Sequence, residues 1–325
     1  LIGELGWPRE IFPEVAEPGT AVGTVHAEAA RATGLREGTP VIVGGADTQL
    51  GLVGIGRVQA GAITVIGGTF WQQTIGVDRP VIDPRVRLRT LCHALPDQWM
   101  LEGIGFLPGL TMRWFRDAFC QWEKEQARQE GVDAYSLMER EAAKAPPGSN
   151  GVIGIFSDLM NAKRWMHASP SLLQFDITDP EHSGKRECIR AIEEAAAYVS
   201  RGHVQIIEEL THCSVDEIVF TGGAANGQLW PQILADVLDS RVHVPTVKES
   251  TALGAALYAG VGAGVYPDVE TAASDIACTE HTFEPDPDTH EIYQSLYDQW
   301  RQVYERSLAM VEDGLLRPMW RAAGT

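Results

Sequence analysis

The stretch Val41-Ile42-Val43-Gly44-Gly45-Ala46-Asp47-Thr48-Gln49 decides how the rest of the chain is read. Three β-branched residues make a short buried strand, two glycines end it, and helix-forming residues resume at Gln49-Leu50. A side chain just past a strand end stands at the rim of a sheet, where open α/β folds place their ligands. Asp47 therefore reads in two ways: as a working carboxylate, or as the cap of the following helix, accepting a free backbone N–H.

The same design returns twice. Gly67-Gly68-Thr69 joins two apolar runs, residues 62–66 and 70–75, in the pattern of a hairpin. Gly222-Gly223-Ala224-Ala225-Asn226 follows the buried strand Glu217-Ile218-Val219-Phe220-Thr221 and opens a helix over 229–238. Glycine lets backbone N–H groups approach phosphate oxygens, Thr69 adds a hydroxyl donor, and a helix N-terminus favours an anion. Neither the P-loop spacing nor a GxGxxG fingerprint is present.

Outward from these turns, a helix over 27–33 closes at Gly34. A single helix over 109–131 is expected, with Met112, Phe115, Phe119 and Trp122 on one face and Arg113, Arg116, Asp117 and Glu123 on the other. Residues 151–156 form a strand, and 161–171 an irregular stretch with Lys163, Arg164, Trp165 and His167. A long helix over 186–210 buries Cys188, Ile192, Ala195, Val199, Ile206 and Leu210. An Ala- and Gly-rich helix over 251–262 is slim enough to pack closely on a neighbour. A final helix over 289–311 turns Ile292, Leu296, Trp300 and Val303 inward. Trp71, Trp114 and Trp165 are core residues or pocket walls.

The chain of 325 residues can bury a large core and hold two domains. Its 44 acidic against 26 basic residues give a formal net charge of −18, which argues against nucleic acid or an anionic membrane as main partner. An anionic small ligand is still compatible, since local N–H groups suffice to hold one. Five scattered cysteines give no zinc or disulfide pattern, as expected of a reducing cytoplasm. The start at Leu1 reads as the interior of a longer protein.

Phosphoryl transfer to a hydroxyl needs a base at the acceptor, donors around the transferring phosphate and usually Mg²⁺. Asp47 and Thr69 suit the first two roles. At this point the chain resembles the FGGY carbohydrate kinases. The likeness is carried in order by Gly44-Gly45-Ala46-Asp47-Thr48-Gln49, Gly68-Thr69, Gly222-Gly223-Ala224-Ala225-Asn226 and Glu249-Ser250-Thr251-Ala252-Leu253-Gly254-Ala255-Ala256. It extends over nearly the whole chain, through Gly67-Gly68-Thr69-Phe70-Trp71-Gln72-Gln73 and Gly109-Leu110-Thr111-Met112-Arg113-Trp114-Phe115.

The resemblance implies an α/β, actin-like and ribonuclease-H-like ATPase fold. Residues 1–57 would be the end of the N-terminal, substrate domain and 58–325 the nucleotide-binding C-terminal domain. Asp47 would be the general base, with Gln49 on the substrate side. Gly68 and Thr69 would hold the ATP phosphates. Gly109 and Arg113 would lie near the nucleotide, and Gly222, Gly223 and Asn226 would line the adenosine site. ATP and Mg²⁺ are implied, with no protein metal ligand assigned. The implied substrate is the quorum signal 4,5-dihydroxy-2,3-pentanedione in its linear hydroxylated form. A phosphocarrier protein of the sugar phosphotransferase system is the implied regulatory partner. The alternatives are a xylulose- or glycerol-type kinase and a non-catalytic nucleotide-binding fragment. Two departures stand out. The loop Ser157-Asp158-Leu159-Met160-Asn161-Ala162-Lys163-Arg164-Trp165 replaces the Ser-Gly-Glu-Arg type of many relatives. The family's first Asp-x-Gly-Thr phosphate motif is absent, so little turnover is expected of this chain alone.

Overall fold

A computed structural model describes residues 2–159 and 166–322. Residues 160–165, with Lys163, Arg164 and Trp165, lie outside the described residues. In chain order the first elements are β1 (Ala21–Thr24), α1 (Ala27–Thr33), β2 (Pro40–Ile42) and α2 (Asp47–Gly54). Next come β3 (Ile63–Gly67), β4 (Trp71–Val77), β5 (Arg89–Cys92) and β6 (Trp99–Gly105). Helices α3 (Pro108–Phe119), α4 (Gln121–Glu130) and α5 (Ala134–Ala142) precede β7 (Ile153–Ile155), β8 (Ser171–Leu173) and the long α6 (Lys185–Thr211). Then follow β9 (Glu217–Thr221), α7 (Leu229–Leu238), β10 (Arg241–Pro245) and α8 (Ser250–Gly262). The last are α9 (Val269–Ile276), β11 (Thr279–Phe283) and α10 (Pro287–Glu312).

The contacts divide into two compact units. One comprises Leu1–Val58, Ala94–Pro96 and Ser250–Ile276; the other comprises Gln59–His93, Asp97–Glu249 and Ala277–Thr325. The sequence reading drew one cut along the chain, after residue 57. The spatial grouping also gathers α8 and α9 with the first segment.

In the first unit, α1 ends where Gly34 takes the left-handed conformation, its N–H donating to the Ala30 carbonyl. Leu50 and Val53 of α2 pack with Leu257 and Tyr258 of α8 and with Val269, Ala272 and Ala273 of α9. Tyr258 Oη donates to the Ala94 carbonyl at 2.9 Å. Helices α2 and α8 touch backbone to backbone: a Cβ on Gly54 would strike the Ser250 carbonyl, and one on Gly254 the Leu50 carbonyl. The strand at 41–43 is a correction to the sequence reading. It is not buried: Val41 is 44% exposed, because β2 pairs only with β1 in a two-stranded sheet.

The second unit is built on a seven-stranded mixed sheet of order β11-β10-β9-β3-β4-β6-β5. Strand β3 runs parallel to β9 and antiparallel to β4, which is antiparallel to β6. Strands β3, β9 and β6 therefore all end at the same edge. Helix α6 crosses the core and is buried on every side from Glu187 to Ser200, not along one stripe. It carries Arg190 and Glu194 inside. The Glu194 carboxylate accepts from Gly148 N, Ser149 Oγ, Arg190 Nε and Tyr293 Oη at 2.8–2.9 Å, so the buried ion pair is fully satisfied.

Two further helix readings are corrected. The run 109–131 breaks at Cys120, which is buried with non-helical φ/ψ, and the change of direction turns Phe119 and Trp122 out to 53% and 63% exposure. Only Met112 and Phe115 of that expected face are buried, while Glu123, expected outside, is buried and paired with Lys185. On α10, Ile292 is 49% exposed; the inward stripe runs through Tyr293, Tyr297, Trp300, Tyr304 and Leu308.

Candidate functional site

The common edge of β3, β6 and β9 builds the candidate site. Ile66 pairs with Thr221, so the glycine turns after β3 and β9 leave the sheet side by side. Gly67 and Gly105 both pair with Trp71, so β6 delivers the start of α3 to the same level. These turns then touch. Gly222 sits at φ +91°, where side-chain-bearing residues are strained, and a Cβ there would lie 2.6 Å from the Gly67 carbonyl oxygen. A Cβ on Gly109 would collide with the Gly68 carbonyl. Glycine is required because three backbones meet with no room for a side chain.

The turns line a cavity of about 620 Å³, within the range of small-molecule sites. Gly68, Thr69, Gly109, Arg113, Gly223 and Asn226 all line it, together with Gly67 and Gly227. Gly222 lies behind them as the hinge of the bend. Thr69, Arg113 and Asn226 are exposed, and the Gly68 N–H is turned back to the Phe70 carbonyl at 3.0 Å. Arg116, on the next turn of α3, leaves the cavity and stacks over Tyr135 at 4.8 Å.

The far wall was not read from the sequence. It consists of Asp133, Tyr135, Ser136, Met138 and Glu139 around α5, Ile189 and Glu193 of α6, and Trp230 of α7. Glu139 Oε1 accepts from the Leu229 N–H at 2.6 Å, placing a carboxylate on the N-terminus of α7. Burial, and then repulsion from Glu139, pushes Glu193 well above the usual carboxylate range, against the opposing pull of Arg190. Trp71 is a core residue: it is fully buried, donates to Ser200 Oγ at 2.7 Å and stacks on Trp230 at 4.9 Å. Trp114 is 48% exposed and lines no part of this cavity.

Asp47 and Gln49 belong to the first unit. Asp47 is the first residue of α2, with Ala46 in the capping position. It is exposed to solvent, and its Oδ1 accepts from the Thr48 N–H at 2.8 Å. Its backbone carbonyl accepts from Thr251 Oγ1 at 3.0 Å, which fastens the first turn of α2 to α8. Gln49 is half-buried. No group of three or more His, Cys, Asp or Glu side chains suited to a metal occurs among the described residues. All five cysteines are free. No helix among the described residues is long and apolar enough to cross a membrane.

The chain is 45% identical over 324 residues to the autoinducer-2 kinases of Escherichia coli (strain K12) and Salmonella typhimurium (strain LT2). All of this chain is covered, and it spans 61% of the length of those relatives. Among solved structures, a ligand-bound xylulose kinase from Lactobacillus acidophilus aligns with a TM-score of 0.77 at 20% identity, over 95% of this chain and 60% of its own. A Plasmodium falciparum glycerol kinase with ADP aligns at 0.72 and 19% identity, over 92% of this chain and 57% of its own. These likenesses establish the actin-like fold of the sugar kinases. The pattern of the FGGY carbohydrate kinase N-terminal domain matches residues 1–54, and that of the C-terminal domain matches 74–263, more than half of the chain. The chain belongs to the FGGY family of carbohydrate kinases.

Proposed function

We propose that this chain is the nucleotide-binding part, with the catalytic carboxylate, of an ATP-dependent kinase. Its acceptor is 4,5-dihydroxy-2,3-pentanedione, the autoinducer-2 precursor. The observation that carries the reading is the cavity at the common edge of β3, β6 and β9, lined by Gly68, Thr69, Gly109, Arg113, Gly223 and Asn226. The 45% identity to autoinducer-2 kinases over the whole chain supports the acceptor.

In this mechanism Asp47 takes the proton from the acceptor hydroxyl as its oxygen bonds to the γ-phosphorus of ATP and the bond from that phosphorus to the β–γ bridging oxygen breaks, releasing ADP; Gln49 helps to seat the acceptor. Thr69 holds the phosphates with turn N–H groups other than that of Gly68, which is bonded to the Phe70 carbonyl, with Arg113 near the nucleotide and Gly223 and Asn226 along the nucleoside. A Mg²⁺ ion would be held chiefly by the ATP phosphates and water, since the described residues carry no cluster of three or more metal-ligating side chains, and would spread the phosphate charge. The phosphorylated product is charged and is retained in the cytoplasm. A phosphocarrier protein of the sugar phosphotransferase system is the proposed regulator.

The test is a side-by-side phosphorylation assay with ATP on 4,5-dihydroxy-2,3-pentanedione, xylulose and glycerol. Preference for the first supports the reading, and preference for either other acceptor replaces it with a xylulose- or glycerol-type kinase. The second reading is a nucleotide-binding module without transfer. Calorimetry showing ATP binding with no transfer to any acceptor would support that reading.

A further inference from the structure

Behind the turns that line the cavity stand Phe70, Phe106 and Trp320, which lie outside its lining. Phe70 follows Thr69 between β3 and β4, and Phe106 lies between β6 and α3, just before Gly109. Phe106 meets Phe70 edge-on at 5.6 Å and Trp320 at 4.6 Å between ring centroids, both within the range of favourable ring pairs. Trp320 comes from the segment after α10, and the backbone of that segment is tied down. The His167 N–H donates to the Trp320 carbonyl at 2.9 Å, and the Met319 N–H to the Ala168 carbonyl at 3.1 Å. Met166 and Arg321 pair as an antiparallel bridge. The Ala168 N–H donates in turn to the buried Tyr304 hydroxyl of α10 at 3.1 Å. Trp320 is therefore a fixed ring pressed on Phe106.

The turn that Phe106 opens needs holding. Leu107 stands in the N-cap position of α3 at φ +63°, with no side-chain capping hydrogen bond. A bulky residue keeps that left-handed conformation only where its surroundings impose it. The same turn carries Gly109, packed so closely on the Gly68 carbonyl that a Cβ would collide with it. Relaxation of Leu107 would carry Gly109 off that carbonyl and part the two turns.

We propose that Trp320 is a positioning residue for the cavity: through Phe106 it clamps the strained turn before α3 against the Gly68-Thr69 turn and keeps both set for the phosphates. This rests on the reading of the cavity as the nucleotide site. Trp320 itself touches neither nucleotide nor acceptor. The apparent Kd rises as the inverse of the competent fraction, so turns left clamped in about one molecule in ten bind about tenfold more weakly.

The test pairs amide exchange with calorimetry, ADP being the probe, on the full chain and its Trp320→Ala, Trp320→Phe and Phe106→Leu variants, and on the variant carrying both W320A and F106L. Two N–H groups report the turns: that of Gly68, bonded to the Phe70 carbonyl at 3.0 Å, and that of Thr111, bonded to the Leu107 carbonyl at 2.8 Å. In W320A both are expected to exchange about tenfold faster or more, with the N–H groups inside β3 and β9 unchanged, and ADP to bind about tenfold more weakly. W320F keeps a ring and should stay close to the parent. In the F106L background W320A should add nothing, because the relay is already cut. A merely structural role predicts faster exchange across the whole sheet. That outcome, unaltered exchange at Gly68 and Thr111, unchanged ADP affinity in W320A, or additive losses when both substitutions are combined overturns the proposal. Should W320A fail to fold, F106L alone decides: accelerated exchange at the same two groups supports the clamp, and unaltered exchange overturns it. A parent chain that binds no ADP overturns the nucleotide reading of the cavity, and the exchange result then decides the clamp by itself.

Discussion

Gly222→Ala perturbs the point where the glycine turns converge. The residue sits at φ +91° and ψ −177°, a region that essentially only glycine occupies, and forcing alanine there costs about 1–3 kcal/mol. The new methyl would lie 2.6 Å from the Gly67 carbonyl oxygen and 3.0 Å from its carbon. Carbon contacts are optimal near 3.5–4.0 Å, so the two turns must part by roughly half an ångström or more. Overpacking of this kind adds about 1–3 kcal/mol. The sum, about 2–6 kcal/mol, is a large share of the 5–15 kcal/mol that ordinarily separates folded from unfolded protein. Gly223→Ala is the matched control: its Cβ meets nothing within 4 Å and its φ is not positive. Urea unfolding should place the control within about 0.5 kcal/mol of the parent and the Gly222 variant far below it. Displacing Gly67 also moves Gly68 and Thr69, so ADP affinity measured by calorimetry should fall with stability. Equal stability in the two variants would refute the convergence of turns as the source of glycine's requirement.

The other expectations concern separate groups. Asp47→Asn in the full-length kinase should lower kcat by about 10²–10⁴-fold, the usual contribution of a general base, with ATP affinity nearly unchanged; near-normal turnover would remove Asp47 from that role. Thr69→Ala should weaken ATP binding and slow transfer, and unchanged values for both would count against its phosphate contact. Gly254→Ala drives a methyl into the Leu50 carbonyl and should cost about 1–3 kcal/mol, read as faster amide exchange in α2 and α8; unaltered exchange would contradict the tight crossing. Burial lowers His203 to about 3 and His93 and His167 to about 4. Each binds a proton more readily when unfolded, so its contribution to stability is complete above pH 6.5 and is lost as pH falls towards those values. The stability of wild type relative to His203→Gln should therefore shrink by up to about 2 kcal/mol between pH 6.5 and 5. A difference independent of pH would refute the assignment.

Local chemistry explains what was legible in the chain. The hairpin around Gly67-Gly68-Thr69, the Gly34 stop and the helix over 229–238 are short-range signals, and each lies where it was expected. Strands β5 and β6 were overlooked because Thr90, Glu102, Gly103 and Gly105 interrupt any period-2 pattern; pairing with β4 overrides propensity there. The split at Cys120 was invisible because Phe119 and Trp122 fit a helical period while the tertiary contacts lie elsewhere. Within the cavity, glycine and threonine announce backbone approach. The far wall does not: Glu193 lies in the middle of a charged-looking helix and Trp230 looks like an ordinary core residue. Only the packing of α5, α6 and α7 around one space marks them.

The crossing of α2 and α8 has a consequence for biosynthesis. The Leu50 and Val53 face of α2 is covered by α8, and roughly 200 residues separate the two helices in the sequence. At translation speeds of about 5–20 residues per second, α2 leaves the ribosome some 10–40 s before its partner exists. During that interval the Leu50 and Val53 face next to Asp47 lacks the helix that covers it, so the nascent chain exposes an apolar stripe until α8 is made.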